Sequence, residues 1–231
     1  MCYNLEASIY ALTVNIIGAV VLYLYDPVLG LYWSFVGLMQ LYDIIFWMNQ
    51  EKNNTNFTFT IIAMISNLIQ PFVLGFLVYI FRIHGMQWRQ SSLKSPTSFS
   101  FYFLLFYFVV LIGYVFLYFK DNGTKSLYTL PAEKRCNSNS NSCGTSNSPL
   151  LWGWTNGRGH LLLLFAYTLA TITLFIEYFE RPMNYVLVFV SLVSLLVTSI
   201  IKVPQISRFW CNYIAYTPLL FGIISLYYKK V

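Results

Sequence analysis

Two polar residues inside a long apolar run are the first candidates for chemistry in this chain. The segment LMQLYDIIFW (38–47) carries Gln40 and Asp43 three residues apart, so a helix would place them on one face, with Trp47 one turn beyond Asp43. An ionisable group inside an apolar segment is costly and usually faces a bundle interior or a site. We therefore expect Asp43 to act as a counter-ion or hydrogen-bond acceptor for a ligand.

A second apolar run repeats the spacing. In SNLIQPF (66–72), Asn67 and Gln70 again lie three residues apart, and Pro71 follows directly. Proline has no N–H, so it frees a backbone carbonyl one turn back, which neighbouring groups must satisfy. This segment predicts an interrupted helix with an amide pair near the interruption.

Three further polar residues lie at the ends of apolar runs: Asn212, His160 and Glu6. Counted at the rise of a helix, they fall in the same half of the bundle as Asp43 and Asn67. The functional interpretation is a pocket for a small polar or amphiphilic ligand; the structural alternative is interhelical hydrogen bonding, about 0.6 kcal/mol per pair. The predicted ligand-binding residues are Gln40, Asp43, Trp47, Asn67, Gln70, Asn212, His160 and Glu6.

The composition indicates a membrane protein. Hydrophobic residues make up 58% of the 231 residues and charged residues 10%, against about 25% charged residues in a soluble domain. Mean hydropathy is +0.61. The net charge of +6 is spread over several loops and forms no basic stripe, so nucleic-acid binding is not expected. The expected partners are the lipid bilayer and a small-molecule or lipid ligand, with a homo-oligomer left open.

The elements that must position the polar residues are seven apolar stretches, each near the roughly 20 residues that cross a bilayer. Polar or helix-breaking connections separate them, and the longest connection, 120–158, contains an Asn/Ser-rich tract expected to be flexible. The prediction is an all-α bundle of seven transmembrane helices forming one domain over residues 1–231. The predicted helices are 6–25, 29–49, 57–82, 99–119, 159–179, 183–203 and 207–228.

Seven helices place the N-terminus and the connections 50–56, 120–158 and 202–206 on one side of the membrane. The sequons at Asn53, Asn56 and Asn122 and all four cysteines fall on that side. Sequons and cysteines are typical of an oxidising compartment. The prediction is a lumenal or extracellular N-terminus and a cytosolic C-terminus.

The four cysteines allow three pairings. Cys136 and Cys143 lie in one connection and can meet readily, which leaves Cys2 and Cys211 to tie the first helix to the last. Unpaired thiols that pack as small hydrophobes are the alternative. No metal centre is expected, because the two histidines are far apart in sequence and no Cys-x-x-Cys is present.

Enzymatic motifs are missing from the sequence. The last apolar stretch has no lysine for a retinal Schiff base, and neither H-E-x-x-H nor G-x-S-x-G occurs. We therefore expect no cofactor and assign no catalytic residue. An intramembrane enzyme is the weakest of three alternatives, after a receptor-like or transporter-like binding protein and a structural membrane component.

Several short motifs carry a resemblance. The start MC-aromatic followed by EAS (6–8), the pattern M-Q-L-x-acid-x-x-x-W (39–47), N-x-x-Q-P-F (67–72) and a late W-C pair (210–211) resemble a group of seven-helix membrane proteins of large DNA viruses, with a related bacterial set. Tyr3 stands where the group usually has Trp. Asp43 stands where it often has Glu. The resemblance implies seven helices and a viral or host endomembrane setting, and it implies no activity.

Overall fold

The part of the chain that the structure describes is mostly helical. A computed structural model describes residues 4–83, 99–124, 127–131, 150–152, 154, 158–179, 183–200 and 203–228, with the backbone alone at 82–83, 151, 194–195, 198–199, 203–212, 214 and 228. Helix accounts for 86%, which confirms the all-α prediction. The helices are α1 (Leu5–Tyr23), α2 (Pro27–Met48), α3 (Asn54–Leu68), α4 (Gln70–Ile83), α5 (Phe99–Asn122), α6 (His160–Tyr178), α7 (Met183–Ile200) and α8 (Val203–Tyr228).

Short polar side chains define where the first helices begin. Asp26 accepts a hydrogen bond from the backbone N–H of Leu29 at 2.9 Å, and Pro27 occupies the first turn of α2. Pro27 also disfavours the helical conformation at Asp26, which separates α2 from α1 after a very short turn. Asn53 caps α3 in the same way, accepting from the N–H of Asn56 at 2.9 Å.

The third predicted span is broken in the middle. Helices α3 and α4 meet at Ile69 with a bend of 54°. Pro71 lies in the first turn of α4, where its missing N–H and its ring interrupt the hydrogen-bond ladder. The hydroxyl of Tyr107, on α5, donates to the carbonyl oxygen of Leu68 at 2.6 Å and so satisfies a backbone group at the break.

Four of the described helices are long and apolar enough to cross a membrane: α1, α2, α5 and α6. The bent pair α3–α4 is a fifth span if it is counted as one. Helices α7 and α8 contain shorter apolar stretches within the described residues. The architecture is thus compatible with a multi-pass membrane protein, and the predicted count of seven spans is not confirmed.

Glycines let α1 approach its neighbours closely. A Cβ added at Gly18 would lie 2.5 Å from the backbone nitrogen of Leu219 on α8, and one added at Gly37 on α2 would lie 2.0 Å from Oδ1 of Asn15. Small residues at helix crossings allow this kind of approach in apolar surroundings, where dispersion contacts drive association. The close α1–α8 and α1–α2 contacts therefore depend on glycine, which has no Cβ, at positions 18 and 37.

Replacing Gly18 with alanine should destabilise the bundle by about 1–3 kcal/mol, because the methyl group meets backbone rather than a flexible side chain. Gly113→Ala is the matched control: it lies inside α5, and nothing stands within 4 Å of its added Cβ. That change should be neutral or stabilising by up to about 1 kcal/mol. Thermal unfolding in mild detergent measures both, and equal midpoints would contradict the close-packing account.

Candidate functional site

The ends of the long connection between α5 and α6 fold back onto the bundle. Strands β1 (Leu130–Pro131) and β2 (Leu150–Leu151) pair antiparallel, with Leu130 opposite Leu151. Leu127, Leu130 and Leu150 are buried. The flanks of the connection therefore belong to the packed core, because they carry large apolar side chains, and the Asn/Ser-rich tract 136–149 lies outside the described residues.

A polar clasp fastens this connection to α3. The side chain of Asn56 donates through Nδ2 to the carbonyl oxygens of Asn49 and Thr129, each at 2.9 Å, and the N–H of Thr129 donates back to Oδ1 at 3.0 Å. Thr60 adds a hydroxyl contact to Thr129 at 3.0 Å. All the groups of Asn56 are thus engaged, and the start of α3 lies against residues 127–131 of the connection.

Asp43 also holds the connection. The indole N–H of Trp152 donates to its Oδ1 at 3.2 Å, and only 1% of Asp43 is exposed. The ring of Trp152 stacks on that of Trp154 with centroids 4.6 Å apart, and the carbonyl of Trp154 accepts a hydrogen bond from the Tyr114 hydroxyl. This arrangement gives Asp43 a packing partner from its own chain.

A cavity between the helices lies elsewhere, and we name it the central cavity. It has a volume of about 60 Å³ and is walled by α2, α4, α6, α7 and α8. The hydroxyl of Tyr167 donates to Oε1 of Gln70 at its wall and also hydrogen-bonds with the hydroxyl of Tyr32. These three side chains form a hydrogen-bonded chain from α2 through α6 to α4.

Aromatic rings form most of the α2 and α8 side of the central cavity. The ring of Trp33 lies 5.8 Å from Tyr32, 5.8 Å from Tyr213 and 6.1 Å from Phe221, measured between centroids. Trp33 is 4% exposed, and its indole N–H has no acceptor among the described residues. A buried donor without an acceptor costs about 1–3 kcal/mol, so this group calls for a partner.

The opposite side of the cavity is polar without being charged. Thr168, Thr171 and Ser191 line it, and each hydroxyl donates to a carbonyl one turn back in its own helix, at 2.8–2.9 Å. None of the described residues lining the cavity carries a formal charge. The cavity can therefore hold a neutral ligand without neutralising a buried ion.

Two prolines lie near residues that line the central cavity. Gln70 precedes Pro71 at the α3–α4 break, and α8 contains Pro218 between the lining residues Tyr213 and Phe221. Near Pro218, the hydroxyl of Thr217 donates to the Tyr213 carbonyl at 2.5 Å. Interrupted helices at membrane depth are tolerated where their backbone is buried in protein or borders a cavity.

Only Gln70 of the predicted residues lines the central cavity in the described part of the chain. Gln40 is fully buried on α2, Trp47 and Asn67 are half-buried, and Glu6 is exposed in the first turn of α1. The ring of His160 lies 6.3 Å from that of Tyr114, beside the connection. The side chain of Asn212 lies outside the described residues, as do the side chains of Cys2, Cys136, Cys143 and Cys211, so both disulfide predictions remain predictions.

Sequence reasoning missed Tyr32, Trp33 and Tyr167. Tyrosine and tryptophan in apolar runs are ordinarily assigned to membrane interfaces, so their types alone give no signal. The spacing of Tyr167 and Thr171 was informative, because residues four apart share a helix face. That face of α6 brings hydroxyls to the cavity.

Neither comparison with known proteins nor metal chemistry adds a function. No protein-family model, curated protein or solved structure matches this chain. Among the described residues, no group of three or more His, Cys, Asp or Glu side chains is placed to hold a metal ion. The viral resemblance thus stays a prediction, and the contacts of the site are the remaining basis for a function.

Replacing Trp152 with phenylalanine should loosen the connection, because the change removes the N–H that donates to Asp43 and keeps most of the ring. A hydrogen bond to a charged group contributes about 1.5–3 kcal/mol, and one between neutral groups about 0.5–1.5 kcal/mol. Amide hydrogen exchange should accelerate in residues 127–131. Asp43→Asn is the comparison: its amide oxygen still accepts from Trp152, so exchange should accelerate less than in Trp152→Phe. Unchanged exchange in Trp152→Phe would show that Asp43 does not hold the connection.

Proposed function

We propose that this chain is a multi-pass membrane protein that binds a small polar or amphiphilic ligand in the central cavity, in a transporter-like or receptor-like role. The observation that carries the proposal is the placement of Gln70. It lies at the break of a helix pair, it is 4% exposed, and it lines a cavity to which α8, a helix with Pro218 in its interior, also contributes.

Many transporters build a substrate site where a helix is broken, because the interruption exposes polar groups at membrane depth. The hydrogen-bonded chain of Tyr32, Tyr167 and Gln70 supplies such groups here. The uncharged lining favours a neutral ligand over an ion. Asp43, first expected to be the ligand's counter-ion, is assigned instead to holding the connection through Trp152.

A structural membrane component is the second candidate, favoured by the clasp of Asn56, Thr60 and Thr129. Those polar groups contact each other and leave nothing for a ligand. The central cavity differs from the clasp, because the Trp33 indole N–H in its lining has no acceptor among the described residues.

The membrane setting is part of the proposal. The N-terminus is lumenal or extracellular and the C-terminus cytosolic, in a viral or host endomembrane. The sequons support this orientation only through Asn53 and Asn122, because Asn56 is fully enclosed in the clasp. Asn122 is exposed at the end of α5.

Native mass spectrometry of the protein purified in mild detergent tests the binding function. Ser191→Phe should fill the central cavity and abolish a co-purified small-molecule adduct. Ser34→Phe is the control: Ser34 is exposed on α2 and makes the same bond to the carbonyl four residues earlier, at 2.9 Å. The control should keep the adduct. A clean apo mass for wild type and both variants would favour the structural candidate.

A further inference from the structure

The lining of the central cavity contains a hydrogen-bond donor that has no acceptor among the described residues. The side-chain oxygen of Gln70 accepts from Tyr167, so its Nε2 group is the donor that this amide can offer to a ligand. The Trp33 indole N–H has no acceptor among the described residues. Both residues are more than nine-tenths buried and line the same cavity, from α4 and α2. A ligand that satisfies them must present hydrogen-bond acceptors.

The threonine and serine hydroxyls that line the cavity from α6 and α7 already have acceptors. Thr168, Thr171 and Ser191 already donate within their own helices, so no proton of theirs is left without an acceptor. A ligand that brings extra donors would gain little from them. A ligand that brings acceptors would relieve the cost of the buried Trp33 indole N–H.

The volume and the walls limit the shape of the ligand. A cavity of about 60 Å³ has room for about four to six water molecules, each needing roughly 10–15 Å³ on this measure and filling about 30 Å³ as liquid. That space matches one six-membered ring with its oxygens. The rings of Tyr32, Trp33 and Phe175 offer offset and edge contacts to a planar guest.

We infer that the central cavity binds a quinone-type head group: a neutral planar ring whose carbonyl oxygens accept hydrogen bonds from Trp33 and Gln70. The absence of charge among the described lining residues excludes a dominant role for ion pairing there. An apolar tail on such a ligand would remain in the lipid or between the helices. This inference rests on the proposed ligand-binding function and names the ligand class for the same site.

The test uses a tailed, ring-methylated benzoquinone and its hydroquinone, which share size and shape and differ in carbonyl against hydroxyl oxygens. Binding is measured by calorimetry to the full chain in lipid nanodiscs, with empty nanodiscs as the blank for partitioning. The quinone should bind more tightly than the hydroquinone. Trp33→Phe should weaken quinone binding about 3- to 10-fold, the value of one lost hydrogen bond.

Trp47→Phe is the matched control. Trp47 lies on the same helix, its indole N–H also has no acceptor among the described residues, and it does not line the cavity. It should bind the quinone like the wild type. If Trp33→Phe does not fold, Ser191→Phe replaces it and should abolish binding, with Ser34→Phe unchanged.

Three results would overturn the inference: no specific binding of the quinone, equal effects of Trp33→Phe and Trp47→Phe, or a hydroquinone that binds at least as tightly. Its failure is separable from that of the proposed function. If mass spectrometry shows an adduct that Ser191→Phe removes, and the quinone does not bind, the site stands and the ligand class is wrong. If neither is seen, both fall.

Discussion

Every backbone polar group inside an apolar bundle needs a partner, and the break at Ile69 is where this constraint shapes the structure most. Pro71 interrupts the ladder between α3 and α4, and the Tyr107 hydroxyl reaches the Leu68 carbonyl from α5. An unsatisfied group there would cost several kcal/mol in hydrocarbon. The contact between α5 and the bent pair is thus a requirement of the backbone as well as of side-chain packing.

The same break sets the position of the central cavity. Gln70 begins α4 immediately after it, so its amide enters the bundle at the depth where the helix changes direction. Tyr167 on α6 is next to Tyr107, with ring centroids 5.9 Å apart, and bonds to Gln70. Tyr107, Tyr167 and Gln70, from three different helices, therefore meet beside the break at Pro71.

The sequence predicted the helices better than the site. Each of the seven apolar stretches corresponds to a described helix or, at 57–82, to the bent pair, because apolar length and polar breaks are local properties. Pro71 predicted the interruption of the third helix. The sequence did not show which helices would lie side by side, because all of them are apolar around most of their surface. The predicted pocket depended on that adjacency.

Asp43 shows that a charge in an apolar run can also serve packing. Its predicted ligand role stays a prediction, while the described structure shows its carboxylate accepting from the Trp152 indole. That partner comes from 109 residues further along the chain, beside a tract whose composition predicted no packing at all. Large aromatic residues flanking such a tract were the available signal, in Trp152 and Trp154.

The pairing of β1 with β2 has a practical consequence for engineering. Pro131 stands opposite Leu150, so the two ends of the intervening 132–149 stretch are fixed as neighbours across a strand pair. Closing a loop whose ends already meet costs little more as it lengthens, about 0.6 kcal/mol for each doubling. A reporter domain or epitope inserted between these two residues would be tethered to the bundle by both of its ends, and would leave the helices their register.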